Sequence, residues 1–108
     1  MKTRLLLLSL TLSVTSLICR AVAQTPADIY KAKCAMCHGV DGTGNTPAGK
    51  AMKARDFHDA DVIKATDADL TLAITKGRNK MPAYGTQFNA DQIKSLVAFI
   101  RDMQKSGK

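Results

Sequence analysis

The sequence has few large side chains from which to build a hydrophobic core. It contains no tryptophan, two tyrosines and three phenylalanines in 108 residues, a length that suits one domain. Chains of this size often need a metal, a disulfide or a cofactor to complete the fold. The scarcity of aromatics therefore predicts that something other than side chains fills the middle of the molecule.

Glutamate is also missing, since all nine acidic residues are aspartates, against sixteen lysines and arginines. The basic residues are scattered, without a dense run or interleaved aromatics, and this pattern argues against a nucleic-acid partner and favours an acidic protein partner. The chain also lacks a pair of acids in an apolar context and a set of nucleophile, base and orienting residue. We therefore expect no enzymatic activity.

The one long apolar run lies at the N-terminus. Two basic residues precede a stretch from 5 to 18 that is almost wholly apolar or hydroxyl-bearing, and Ala21-Val22-Ala23 fits an A-x-A cleavage site. The pattern predicts a secretory signal peptide over residues 1–23, cleaved after Ala23. An uncleaved membrane anchor is the alternative, although the run is short for a full span. Cleavage removes three basic residues and lowers the formal net charge from +7 to +4.

Three helix-start patterns predict an all-α domain over residues 24–108. Each pairs a capping residue with an acid or amide three positions later, as in a capping box. The pairs are Thr25 with Asp28, Thr66 with Asp69, and Asn89 with Gln92. The predicted helices run from about 26 to 37, from 67 to Gly77, and from 90 to the end, where apolar residues recur at helical spacing. Short helical turns are predicted near 48–54 and 59–64, and no strand pattern is present.

A C-x-x-C-H motif at Cys34-Ala35-Met36-Cys37-His38 matches the signature of c-type haem attachment. Residues three apart on a helix share a face, so both thiols can form thioethers with the two vinyl groups at one porphyrin edge. The histidine follows where its imidazole can reach the iron. A thiol-redox pair would call for the strand–helix alternation of a thioredoxin-like fold, and a zinc site for a second pair of ligands. Neither is found.

A ligand for the other face of the iron has five candidates. They are Met36, Met52, Met81, Met103 and His58. Met36 lies inside the attachment motif, and Met103 belongs to the apolar stripe of the last helix. Met81 lies in a loop that Pro82 stiffens, although a gap-filling core methionine remains the alternative there. His58 has three aspartates nearby, which predicts a solvated, charged segment.

Four elements in order resemble the class I cytochromes c in their short bacterial and algal form. They are an aromatic four residues before the first cysteine (Tyr30), C-x-x-C-H with a glycine-rich loop at 39–44, a G-x-x-x-M-P-x-aromatic loop at 77–84, and an aromatic in the last helix (Phe99). The resemblance implies three main helices and loops packed around one covalently bound haem c, held by Cys34 and Cys37. It also implies iron ligation by His38 and Met81, and a haem pocket that includes Tyr30, Pro47, Tyr84 and Phe99.

Two further details come from this resemblance. The family has a proline whose carbonyl accepts the Nδ1 proton of the haem histidine, and Pro47 is the candidate, with a plain helix start as its alternative. The family often has glycine eight residues before the first cysteine, where the first and last helices cross. This chain has Pro26 there, so we expect a looser crossing or one shifted to Ala27.

The function that the resemblance implies is one-electron transfer in a respiratory, photosynthetic or dehydrogenase chain. The expected donor is a cytochrome bc complex or a dehydrogenase, and the expected acceptor is a terminal oxidase or reductase. Their acidic docking surfaces would meet lysines around the haem edge, such as Lys33, Lys50, Lys53 and Lys80. We expect a soluble periplasmic monomer, lumenal if the organism is photosynthetic. A gas-binding haem protein and a fixed subunit of one complex remain alternatives.

Overall fold

The computed structural model describes residues 24–107, so the predicted signal peptide lies outside the described residues. Over that range the chain forms six helices and no strand beyond one isolated antiparallel bridge between Arg78 and Met81. The helices are α1 (Pro26–Lys33), α2 (Ala35–His38), α3 (Pro47–Met52), α4 (Ala60–Lys64), α5 (Asp67–Lys76) and α6 (Ala90–Ser106). The predicted all-α class with three longer helices is confirmed. None of the helices in this range is long and apolar enough to cross a bilayer.

The three predicted capping boxes are all present. In α1 the Thr25 hydroxyl accepts the Asp28 amide at 3.2 Å, and the Asp28 carboxylate accepts the Thr25 amide at 3.3 Å. The same reciprocal pairs open α5 and α6. The first helix is interrupted at Cys34, which separates α1 from α2 although its amide still donates to the Tyr30 carbonyl. The second predicted helix is α5, and it ends at Gly77 as predicted.

The hydrophobic core lies between α6 and the two other long helices, which both pack against it. It consists of Ile29, Tyr30, Phe57, Ile74, Ile93, Leu96, Val97 and Ile100. The first helix contributes Ile29 and Tyr30, whereas Ala27 is exposed. The alternative in which the crossing shifts to Ala27 is therefore wrong, because the buried residues of α1 are Ile29 and Tyr30.

Arg101 of α6 joins α4 and α5 to the last helix. Its Nε donates to the Asp67 carboxylate at 2.9 Å, and its guanidinium also donates to the carbonyls of Ile63 and Ala65 at the end of α4. A cation at a helix C-terminus satisfies carbonyls that lack partners within the helix. These bonds hold α4 and the start of α5 against α6. The segment 55–59, which precedes α4, borders the candidate site.

Candidate functional site

The two cysteines of the C-x-x-C-H motif are free, half-buried thiols, Cys34 between α1 and α2 and Cys37 within α2. The amides of Cys37 and His38 both donate to the Cys34 carbonyl, at 3.2 and 2.9 Å, so the motif is wound into one helical turn. Cys34 packs against the hydrophobic core. Burial raises the pKa of the Cys34 thiol to about 11, with a smaller contribution from the neighbouring Cys37. One turn therefore presents both sulfurs from a partly apolar setting.

His38 is held by a hydrogen bond from a distant part of the chain. Its Nδ1 lies 3.1 Å from the carbonyl oxygen of Arg55, which can only accept, so Nδ1 carries the proton. Burial lowers the pKa of the imidazole, and the bond to the carbonyl acts in the opposite direction. The Phe57 ring stacks on it with centroids 4.6 Å apart. A neutral imidazole protonated at Nδ1 offers the Nε2 lone pair to a metal.

The acceptor of the His38 proton is thus Arg55 and not Pro47. Pro47 occupies the first position of α3, after the N-cap Thr46. A carbonyl in the first turn of an α-helix points along the helix towards the amide four residues later. The expectation for this bond was wrong, because the helix already uses that carbonyl.

The loop after the motif is tied back to α1 and α2. The buried Tyr30 hydroxyl donates to the Gly39 carbonyl at 2.6 Å. The Thr46 hydroxyl lies 2.7 Å from the Met36 carbonyl and 3.0 Å from that of Cys37. These bonds satisfy carbonyls at the end of α2 that have no partner within the helix. The cysteine motif is therefore fixed by several parts of the chain.

Met81 lies in the loop between α5 and α6, where a two-residue turn holds it. The amide and carbonyl of Met81 pair with the carbonyl and amide of Arg78 at 2.9 and 3.2 Å, around Asn79 with a positive φ of 53°. Gly77 has φ 75°, and a Cβ there would meet the Met81 carbonyl at 2.5 Å, so the turn needs glycine. The Met81 side chain is half-buried and packs against the core.

Tyr84 connects this loop with the cysteine motif. Its hydroxyl donates to the Lys33 carbonyl at 3.3 Å, directly before Cys34. Burial raises the pKa of the Tyr84 phenol, and the charges of Cys34 and Cys37 add to the effect. The structure therefore brings the loop of Met81 to the same region as both thiols. Phe99 is half-buried, with its ring centroid 5.2 Å from that of Tyr30.

The other candidate ligands are placed elsewhere. Met36 is 75% exposed and Met52 is 51% exposed. Met103 packs against the core, which confirms its structural role. His58 is not solvated as expected, since its side chain is 8% exposed, with Nδ1 2.8 Å from the Asp56 carboxylate and Nε2 3.2 Å from the Met103 carbonyl. Both of its ring nitrogens are engaged.

The donor set fits a covalently attached haem. Among residues 24–107, no group of three or more His, Cys or acidic side chains could hold a metal ion by itself. Two half-buried thiols on one helical turn, a neutral imidazole with a free lone pair at Nε2, and a thioether on a nearby loop match thioether attachment and His/Met iron ligation. An iron held here would take most of its ligands from a porphyrin.

Sequence reasoning missed Arg55 and Phe57. A backbone carbonyl leaves no mark in the sequence, so the role of Arg55 could not be read from its side chain. Phe57 did carry a signal, because it is a lone aromatic in the charged segment Arg55-Asp56-Phe57-His58-Asp59. An apolar ring among charges indicates a buried position.

Residues 21–100 match the family described as "Cytochrome C oxidase, cbb3-type, subunit III". A cytochrome c6 of a Synechococcus species is 32% identical over 94% of this chain and 93% of its own length. Cytochrome c6 of Limnospira maxima is 29% identical over 75% of this chain and 92% of its length. The cbb3-type cytochrome c oxidase subunit FixP of Azorhizobium caulinodans is 33% identical over 75% of this chain, which spans only 27% of FixP.

A solved structure also resembles this fold. The c-type cytochrome KustC0563 superimposes with a TM-score of 0.69 at 29% identity, covering 75% of this chain and 99% of its own. The superposition therefore includes three-quarters of this chain and nearly all of KustC0563.

Proposed function

The chain belongs to the class I cytochrome c family and is an electron carrier with covalently bound haem c, and we propose that Cys34 and Cys37 hold the haem while His38 and Met81 ligate its iron. The observation that carries this proposal is the hydrogen bond from His38 Nδ1 to the Arg55 carbonyl. That bond places the proton on Nδ1, so the lone pair of Nε2 can bind a metal, and two free thiols lie beside the same imidazole in the sequence.

When bound, haem c supplies reversible Fe(III)/Fe(II) cycling. The residues of this chain hold and tune it. The imidazole of His38, made more basic by its carbonyl partner, favours Fe(III), whereas a thioether from Met81 favours Fe(II) and raises the potential above that of a bis-histidine site. If His38 and Met81 both bind the iron, no position is left on it for a substrate, and the site would serve electron transfer. The chain is therefore proposed not to be an enzyme.

The proposed Met81 ligation can be tested by spectroscopy of the holoprotein. The oxidised wild type should have a weak sulfur-to-iron charge-transfer band at the red edge of the visible spectrum. Met81→Ala should abolish the band, open the iron to carbon monoxide and lower the potential. Met52→Ala is the matched control, because Met52 is half-exposed on α3, and should change none of the three. Ready carbon monoxide binding by the wild type would instead favour a gas-binding protein.

The docking partners are proposed to be redox proteins with acidic surfaces. The four lysines named for the haem edge, Lys33, Lys50, Lys53 and Lys80, are all exposed. Charge complementarity speeds encounter between redox partners, and salt screens it over roughly 8–10 Å near physiological ionic strength. The rate of electron transfer to the native partner should therefore fall as salt rises. A rate that does not change with salt would point to an apolar contact.

Export and cleavage after Ala23 are proposed from the sequence pattern of residues 1–23. The expected product is a soluble monomer in the periplasm, or in the lumen of a photosynthetic organism. The intact mass of the native holoprotein tests this, since retention of residues 5–18 together with membrane association would identify an anchored carrier.

A second candidate function is supported by the family description and by FixP, both of which name a cbb3-type oxidase. The chain would then pass electrons within one oxidase complex instead of moving between partners. Purification from native membranes under mild detergent separates the two, because a subunit would elute with the oxidase and a free carrier would elute alone.

A further inference from the structure

Four residues, Arg55 to His58, form a strap between His38 and the last helix. On one side of the strap, the Arg55 carbonyl accepts the Nδ1 proton of His38 at 3.1 Å. The Phe57 ring stacks on the same imidazole, with centroids 4.6 Å apart and an interplanar angle of 25°. Both contacts come from one short segment, so the position of the strap sets the orientation of the histidine.

On the other side, two side-chain bonds tie the strap to α6. Gln104 Nε2 donates to the Phe57 carbonyl at 2.8 Å. His58 Nε2 lies 3.2 Å from the Met103 carbonyl. A third bond fixes the strap to the glycine-rich loop, where the Phe57 amide donates to the Gly42 carbonyl at 2.9 Å. The strap thus contacts both α6 and His38, so the position of α6 affects the orientation of the His38 imidazole.

Both ring nitrogens of His58 face oxygen atoms that only accept hydrogen bonds. Nδ1 lies 2.8 Å from a carboxylate oxygen of Asp56, and Nε2 faces the Met103 carbonyl. The ring therefore lies between two acceptors and links Asp56 of the strap to the end of α6. The side chains of His58 and Asp56 are 8% and 17% exposed. Water therefore screens this pair little, and its charge-assisted bonds are stronger than those of an exposed pair.

We propose that His58 is a positioning residue for the haem histidine. Its imidazole ring, held between Asp56 and the Met103 carbonyl, fixes the strap so that the Arg55 carbonyl stays on His38 Nδ1. This inference rests on the proposed ligation of iron by His38. An acceptor on Nδ1 makes the imidazole a stronger donor to iron and favours Fe(III). Loosening the strap should weaken that bond and raise the reduction potential.

The test compares variants of the holoprotein. His58→Ala removes both bonds of the ring, and Gln104→Ala removes only the bond to Phe57. Asp61→Asn is the matched control, because Asp61 pairs with the exposed side chain of Arg55 and not with its carbonyl. NMR of the reduced protein measures exchange of the His38 Nδ1 proton with solvent, and voltammetry measures the potential.

We expect His38 Nδ1–H to exchange about tenfold faster in His58→Ala, the effect of losing one charge-assisted bond. The potential should rise in the same variant. Gln104→Ala should change both quantities in the same direction by less, and Asp61→Asn should change neither. His58→Gln, whose amide can donate to one of the two acceptors, should recover part of the protection.

Unchanged exchange and unchanged potential in both His58→Ala and Gln104→Ala would overturn the proposal. If His58→Ala does not yield holoprotein, Gln104→Ala still tests the strap through the Phe57 carbonyl. Failure of His38 ligation itself is distinguishable, because the wild-type imidazole signals would then lack the shift that a haem ring current imposes on an axial ligand.

Discussion

The two sides of the candidate haem site are held in different ways. His38, on the side of the cysteine motif, is fixed by residues far away in the chain, through the Arg55 carbonyl and the Phe57 ring. The loop of Met81 is held mainly by its own neighbours, through the turn with Arg78 and bonds to the end of α5. One longer contact, from the Tyr84 hydroxyl to Lys33, joins it to the other side.

This difference indicates which ligand can move. Removing one bond on the side of His38 leaves others, because the strap makes two contacts with the imidazole and the Gly44 amide donates to the His38 carbonyl. The turn at residues 78–81 has few contacts beyond α5 and the core, so its opening free energy should be the smaller of the two. The iron ligand on the Met81 side should therefore be the labile one.

The largest expected effect comes from removing the covalent links on the first side. Cys34→Ala with Cys37→Ala should leave haem that acid–acetone extracts, whereas the wild-type haem should stay with the protein. Each single variant should keep one thioether, which the pyridine haemochrome spectrum distinguishes from two. Haem that is extractable from the wild type would contradict attachment at this motif.

The two tyrosines offer a matched comparison of the two sides. Tyr30→Phe removes a 2.6 Å bond and leaves the Gly39 carbonyl without its partner in a buried site, which should lower the free energy of unfolding by about 1–2 kcal/mol. Tyr84→Phe removes a 3.3 Å bond near solvent and should cost about 0.5 kcal/mol or less. Urea denaturation of both holoproteins measures the difference. Equal costs would remove the contrast between the two sides.

The helix starts were predictable because their signals are local. A capping residue and its partner lie three positions apart, so the sequence alone places Thr25, Thr66 and Asn89 at helix starts, and the structure agrees. The strap was not predictable, since His38 and Arg55 meet across seventeen residues through a carbonyl that every residue type carries. His58 was misjudged for a related reason, because the nearby aspartates suggested a solvated segment, whereas Asp56 is half-buried and contacts the imidazole.

A substitution at the turn before Met81 should sharpen the comparison further. Asn79 has φ 53°, a conformation that asparagine tolerates better than alanine. Asn79→Ala should therefore destabilise the turn by about 1 kcal/mol and make carbon monoxide binding about fivefold faster, because the closed loop is less populated. Asn79→Gly is the control, since glycine accepts positive φ, and its rate should stay near that of the wild type. An unchanged rate in Asn79→Ala would indicate that the turn does not govern access.

The smallest expected effect is a pH-dependent change in stability at the start of α5, the helix that precedes the Met81 loop. The amide of Thr66, followed by its side chain, lowers the pKa of the Asp69 carboxyl. A group whose pKa is lower in the folded state contributes stability above its unfolded value of about 3.9, and this contribution is lost as pH falls through the folded value. Asp69→Asn keeps an acceptor oxygen but loses the charge. Its melting temperature should therefore lie below that of the wild type at pH 7, and the gap should close below about pH 4.

Asp41→Asn provides the corresponding change on the side of His38. Hydrogen bonds from the Thr43 amide and then its hydroxyl lower the pKa of the Asp41 carboxyl too, so its contribution to stability should vanish in the same acid window. The distinguishing measurement is carbon monoxide binding at pH 7. Asp69→Asn should speed it slightly, because α5 anchors the Met81 loop, while Asp41→Asn should leave it unchanged because His38 keeps its other contacts. Equal acceleration in both variants would mean that the two sides open together, as one cooperative unit.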